Sequence, residues 1–187
     1  MELKFYKYQG TGNDFILIDN RNSTLKKLTS ETISRLCDRK YGIGADGLMI
    51  LGDHPEYDFR MKYYNSDGYE STMCGNGGRC MVAFAKKLDL IQRYARFESI
   101  DGIHEAYIES DDYVKLKMQW VDHVEERKDA YILNTGSPHY VVFTDELDSL
   151  DVVKEGQNIR YNEEFKQKGI NVNFVKNQGD YLQVRTY

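Results

Sequence analysis

The sequence predicts an α+β fold, and three observations carry that reading. Most periodic segments are short, strand-like runs bounded by Gly, Asn and Asp. Only two stretches show helical periodicity. A polar stretch, 122–129, reads as a linker between a longer and a shorter segment, which sets expected domains of 1–120 and 121–187.

Residues 3–8 and 15–19 read as strands split by the turn-forming Gly10-Thr11-Gly12-Asn13-Asp14. A helix is expected over 30–40. Thr29 is its N-cap, Leu28 and Ile33 form a hydrophobic staple, Ile33, Leu36 and Cys37 share one face, and Gly42 is the stop. A short apolar strand follows at 47–51. Phe59, Met61 and Tyr63 then alternate with polar neighbours up to a turn at Asn65-Ser66-Asp67-Gly68. The second helix should start near Asn76 or Gly77 and run to Leu88. It is apolar almost all round from Cys80 to Ala85, as a buried central helix would be. Residues 103–118 read as a hairpin around Asp111-Asp112 that puts Val114, Leu116 and Met118 on one face. Further strands are expected at 131–134, 139–144, 171–176 and 181–187. The last of these has no closing turn, which suggests a truncated chain; a repeat between the two segments is not visible by eye.

Composition excludes several classes of function. Hydrophobic residues make up 41% of the 187, enough for a packed core and against intrinsic disorder. Twenty-five basic against thirty acidic side chains leave a net charge of -5, so no positive field favours nucleic acid. No apolar run is long enough for a membrane span, and Met1 to Gly10 lacks the apolar centre of a secretory signal. Cys37, Cys74 and Cys80 are too sparse for a disulfide framework, and four scattered histidines make no zinc spacing. A reduced, soluble, cytoplasmic protein is expected.

Gly42-Ile43-Gly44-Ala45-Asp46-Gly47 matches the dinucleotide pattern GxGxxG, but with a helix before it and a strand after, the reverse of what the pyrophosphate site requires. It reads as a helix stop and turn. Cys74-Gly75-Asn76-Gly77-Gly78-Arg79-Cys80 is the stronger signal. A cysteine just ahead of a helix faces unpaired N–H groups and the positive end of the macrodipole, which should lower its pKa. Gly75, Gly77 and Gly78 would let the backbone approach a carboxylate. The plainer alternative is a small buried thiol in a tight turn. Cys37 and Cys80 belong to the core. Asn13 and Asn65 sit in turns, where an amide either closes an Asx-turn or meets an α-amino-acid head group. His139, after Gly136-Ser137-Pro138, either packs or tunes a thiol.

At these residues the chain resembles the diaminopimelate epimerase family. The stretches that carry the resemblance are Gly10 to Phe15, Arg39 to Gly47, Tyr64 to Gly68, Cys74 to Cys80, Gly136 to His139 and Asn171-Val172-Asn173-Phe174, all in the family's order. The resemblance implies two similar halves, the second incomplete here, each a mixed sheet curled into a barrel-like shell around a central helix, with the site in the cleft between them. It implies a cofactor-free isomerase of lysine and peptidoglycan precursor biosynthesis that interconverts LL- and meso-diaminopimelate with two cysteines, and a homodimer. It makes Cys74 the first catalytic cysteine and His139 the modulator of thiol pKa. Asn13, Asn65, Gly75, Asn76, Asn171, Ser137 and Gly47 become substrate-binding positions. Ser137 replaces a family Asn, and Gly47 stands where many members have Gln. The family's Glu-Arg-Gly segment and second cysteine are not among the 187 residues, so the chain alone is expected to be inactive. The alternatives are a proline-racemase-like relative of the same fold and a non-catalytic amino-acid-binding protein.

Overall fold

A computed structural model describes residues 3–23, 25, 28–110 and 113–187. The expected turn at Asp111-Asp112 lies outside them. The chain divides into two compact units, Met1–Met118 and Gln119–Tyr187.

The first unit opens with β1 (Tyr6–Gly10) and β2 (Asn13–Asp19), antiparallel with Gly10 opposite Asn13. The turn is therefore only Thr11-Gly12, with φ of 54° and 86°, the left-handed pair that matches hairpin twist. Asn13 belongs to the strand rather than to the turn. Helix α1 (Ser30–Cys37) starts as expected, with Thr29 Oγ1 accepting from the Thr32 N–H at 3.2 Å. It ends three residues early. The Asp38 carboxylate accepts from the Lys40 and Tyr41 N–H groups, a local turn that competes with helix. Gly42 is not the stop. The returning chain caps α1 through Ile43 and Gly44 N–H on the Leu36 carbonyl and Ala45 N–H on that of Cys37. A Cβ at Gly42 would lie 2.0 Å from the Arg35 carbonyl oxygen, so this crossing requires glycine.

Strands β3 (Gly47–Gly52), β4 (Phe59–Asn65), β5 (Glu70–Ser71), β6 (Tyr94–Ser99), β7 (Gly102–Ser110) and β8 (Tyr113–Leu116) complete a sheet of order β1-β2-β3-β4-β6-β7-β8, with β5 on β4. The β2–β3 and β4–β6 pairs are parallel. Helix α2 (Gly75–Lys87) packs against both edge strands, β1 and β8, as well as β2, β3 and β7, so the sheet curls around it. Met81, Val82, Phe84 and Ala85 are fully buried there, against Phe15, Leu17, Met49, Leu51, Phe59 and Phe97. The opposite faces of β2 and β3, with Ile16, Ile18 and Leu48, cover α1 through Ile33 and Cys37. Strands buried on both faces read as unbroken apolar runs, which is how Phe15 to Ile18 appears. Met118, expected on the same hairpin face as Val114 and Leu116, lies beyond β8 and is exposed.

The second unit holds β9 (Val124–Glu126), β10 (Tyr131–Asn134), β11 (Pro138–Phe143), α3 (Val152–Arg160), β12 (Asn171–Asn177) and β13 (Leu182–Thr186). Its sheet order is β13-β12-β11-β10-β9, with β11 and β12 parallel. The expected linker at 122–129 is in part β9, a strand paired with β10 through its backbone while all three of its side chains stay exposed. Leu147, Val152, Ile170, Val172 and Phe174 form this unit's core.

The two units repeat one connection pattern. A hairpin (β1–β2, β10–β11) leads to a helix (α1, α3). A strand parallel to the second hairpin strand follows (β3, β12), then an antiparallel neighbour (β4, β13). The duplication is thus visible in topology where no sequence repeat is.

Candidate active site

In the first unit the candidate residues gather at one end of β2-β3-β4. Phe15 is register partner to Gly47, and Gly47 to Asn65, so Asn13, Gly47 and Asn65 stand at neighbouring strand ends. Gly47 is buried, and a Cβ there would meet the Tyr63 ring at 2.5 Å and the Tyr64 carbonyl at 2.6 Å. A longer side chain does not fit this backbone path, consistent with the departure from Gln at that position.

Cys74 is the N-cap of α2, which starts at Gly75, one to two residues ahead of expectation. Its Sγ accepts from the Gly77 N–H at 3.2 Å, and its carbonyl accepts from Gly78 N–H at 2.8 Å. The sulfur is half-buried beside Met49 and Gly77, while Cys37 and Cys80 are in the core with thiols pushed up to about 11 by burial. All three cysteines are free. The expected lowering of the Cys74 pKa is overturned. Burial pushes the thiol up, outweighing the Gly77 N–H, the Arg79 charge and the Asn76 N–H that pull it down. The glycines also differ from expectation. Gly77 and Gly78 are approached by the protein's own side chains, Gly78 by Leu116 and Met73 at 2.8 Å from a notional Cβ. Gly75 has only ordinary contacts around it.

Asn76 anchors the helix start to the first hairpin. Its Oδ1 accepts from Thr11 Oγ1 at 3.0 Å and from Arg79, and its Nδ2 has no acceptor among the described residues. Asn13 is fixed the opposite way. Its Nδ2 donates to Asp46 Oδ2 at 2.6 Å, and its side-chain carbonyl oxygen has no donor among the described residues. No hydrogen bond occupies the Asn65 amide among the described residues.

Behind Asn13 lies an ionic lattice that single-residue reasoning missed. Arg39 donates to both Asp14 and Asp46 at 2.8 Å, Lys7 pairs with Asp14 at 2.7 Å, and Asp46 also accepts the Asp14 N–H. The Arg39 guanidinium, with Lys7, holds the Asp14 carboxyl far below the usual range against the opposing effect of burial. The signal was present, since Asp14, Arg39 and Asp46 all lie in the motif stretches.

The second unit carries its own polar group, at the start of the parallel β11–β12 pair. His139 is register partner to Asn171. Ser137 Oγ lies 3.2 Å from His139 Nε2 and accepts from Asn171 Nδ2 at 3.3 Å. Asn173, two residues along the same face from Asn171, bonds His139 Nδ1 at 3.0 Å. Burial holds the His139 pKa below the ordinary imidazole value, with the Asn173 bond opposing. No group of three His, Cys, Asp or Glu that could hold a metal occurs among the described residues, nor any helix long and apolar enough to cross a membrane. A cavity of about 620 Å³ lined by Ser30, Arg35, Asp38, Tyr41, Asp67 and Tyr69 does not include Cys74.

The architecture is that of a known class. Solved structures similar to it include a Bacillus anthracis phenazine biosynthesis protein of the PhzF family, with a TM-score of 0.73 at 15% identity, covering 100% of this chain and 72% of that one. A hydroxyproline epimerase from Agrobacterium vitis follows with a TM-score of 0.65 at 12% identity, covering 98% and 69%. At such identities the likeness establishes the fold alone.

The sequence comparisons are narrower. Residues 5–124 match the diaminopimelate epimerase family. The chain is 52% identical over 186 residues to the diaminopimelate epimerase of Flavobacterium psychrophilum, covering 99% of this chain and 73% of that protein. It is 42% identical to that of Chlorobaculum tepidum, covering 95% and 72%. The chain belongs to the diaminopimelate epimerase family.

Proposed function

We propose that this chain carries one half of a thiol-based epimerase acting at an α-carbon of diaminopimelate. The observation that supports it best is the placement of Cys74, a half-buried sulfur at the mouth of a buried helix and within 3.2 Å of an inward-facing N–H. Inversion without a cofactor needs a base on one face of the α-carbon and an acid on the other. A thiolate on one face takes the α-proton and becomes a thiol. A thiol on the opposite face then gives its proton to the carbanion and becomes a thiolate, so the pair ends with its roles exchanged. With its pKa raised, ligand-free Cys74 holds its proton at neutral pH and is the acid in that state.

The remaining roles follow from the free hydrogen-bonding ends. The Asn76 side-chain amide and the Gly75 backbone donate to a substrate carboxylate, the Asn13 carbonyl accepts from an ammonium, and Asn65 does either. Gly47 contributes backbone alone. In the second unit, Ser137 and Asn171 offer contacts to an amino-acid ligand, and His139 serves them there. Cys74 is the one thiol of this kind among the described residues, so the 187 residues by themselves bind substrate without epimerising it, and the enzyme works as a cytoplasmic homodimer.

Alkylation mapped by mass spectrometry tests the reading. Iodoacetamide should label Cys74 well before Cys37 and Cys80, and diaminopimelate should slow that labelling in a saturable way. Absence of protection sinks the substrate assignment. Epimerisation by these 187 residues, followed by solvent-deuterium incorporation, would overturn the single-thiol part.

A further inference from the structure

In the polar group of the second unit, backbone carbonyls set the direction of the side-chain hydrogen bonds. Besides His139 Nδ1 at 3.0 Å, Asn173 Nδ2 faces the backbone carbonyl oxygens of Asn171 at 3.4 Å and Tyr140 at 3.5 Å. Carbonyl oxygens only accept, so the nitrogen end of this amide must point there. On its other side, Asn173 Oδ1 accepts from the Thr186 hydroxyl at 3.0 Å, a partner that suits the orientation the two carbonyls set. His139 Nδ1 therefore receives a proton and holds none, and the neutral ring carries its proton on Nε2. That proton points to Ser137 Oγ, 3.2 Å away.

Ser137 Oγ also receives Asn171 Nδ2 at 3.3 Å, and that amide's orientation is fixed in turn by the Pro138 carbonyl at 3.1 Å. A hydroxyl has two acceptor sites and one proton. Both acceptor sites are filled, so what remains is the O–H, which has no acceptor among the described residues.

We propose that Ser137 is a specificity-determining residue that donates its hydroxyl proton to a carboxylate oxygen of the bound amino acid, and that Asn173 is a positioning residue that enforces this by fixing the His139 tautomer. The hydroxyl thus recovers the donor half of an amide and discards the acceptor half, so it selects for a carboxylate and against an ammonium. This assignment rests on the substrate reading above and adds the ligand group and the direction of the bond. The described contacts of the ring are Leu133 on β10, its register partner, Ser137 ahead of β11, and Asn171 and Asn173 on β12; none of these side chains titrates near neutrality.

Asn173→Asp is the decisive variant, since a carboxylate can only accept. The neutral ring must then carry its proton on Nδ1, Nε2 becomes an acceptor, and the Ser137 O–H turns inward to it. Calorimetric affinity for diaminopimelate should fall about tenfold or more above the His139 pKa. It should recover at lower pH, where the imidazolium again donates from both nitrogens. A merely structural role for Asn173 gives no such recovery. Ser137→Ala should lower affinity by about tenfold at all pH values, and Ser137→Asp by more. Nitrogen NMR of the wild-type chain reads the tautomer without any ligand. A proton on Nδ1 of His139 overturns the proposal even if diaminopimelate binds, and so does tighter binding by Ser137→Asp. Failure of the wild type to bind diaminopimelate, with the Nε2–H tautomer present, refutes the substrate reading instead and takes with it the assignment of a diaminopimelate carboxylate to Ser137.

Discussion

Replacing Gly77 by Ala separates the electrostatics of Cys74 from the stability of the helix that carries it. The new Cβ would stand 3.1 Å from both Cys74 Sγ and Met49 Sδ, two flexible side-chain ends that can yield by a few tenths of an ångström. Overpacking of this kind costs about 1–3 kcal/mol, at the low end where the neighbours can move. The exchange of glycine for alanine inside a helix returns about 1 kcal/mol, so net stability should change by no more than about 1 kcal/mol. The sulfur, however, is pushed off the Gly77 N–H that it meets at 3.2 Å. That bond favours the thiolate, and a hydrogen bond to a charged group is worth about 1.5–3 kcal/mol. At about 1.4 kcal/mol per unit, its loss should raise the Cys74 pKa by about one unit or more. The assay is the pH dependence of iodoacetamide labelling at Cys74, with urea unfolding in parallel. Gly75→Ala, whose Cβ would meet only Arg79 at 3.4 Å and Met118 at 3.7 Å, is the control and should leave the profile unmoved. An unchanged labelling pKa in a stable Gly77→Ala protein would refute the claim that this N–H opposes the effect of burial on the thiol.

Other outcomes follow from the same geometry. Gly42→Ala, forced against the Arg35 carbonyl, should cost about 3 kcal/mol in urea unfolding, while Gly52→Ala, with open space around it, should be close to neutral. Asp14 has a depressed folded-state pKa, so its contribution to stability is complete above its unfolded value of about 4 and is lost as the pH falls toward the folded value. Asp14→Asn should therefore flatten the acid limb of the stability profile and leave its alkaline limb in place. Asp46→Ala removes the acceptors of Asn13 Nδ2 and the Asp14 N–H and should cost about 1–3 kcal/mol, with weaker diaminopimelate binding in calorimetry.

The elements that announced themselves in the sequence were those with unbroken or strictly periodic apolar residues. Phe15 to Ile18, the Phe59-Met61-Tyr63 alternation and the apolar run from Cys80 to Ala85 all fold where expected. Strand β6 was missed because one of its two buried core positions is only Ala95, too small a signal beside Phe97. Helix α3 buries just Val152 and Gly156 along its length, and β9 buries nothing, so neither leaves a hydrophobic trace. At the site, Cys74 was legible as a helix-start cysteine because the motif itself spells the N-cap. The direction of its pKa was not, because desolvation depends on Met49, Gly77 and other neighbours distant in the chain. Asn173 escaped notice for a similar reason. Its partners, His139 and Thr186, lie on two other strands and come together only through the sheet register.

The recurrence of one connection pattern in two segments without visible similarity bears on how such a protein changes over generations. Parallel neighbours point their heads the same way, so Asn13 beside Gly47, and Ser137 beside Asn171, are gathered by the winding of the chain rather than by the identity of the residues beneath. Drift can rewrite the greasy interior almost entirely while these few strand heads stay put, and chemistry is inherited through the diagram more faithfully than through the letters.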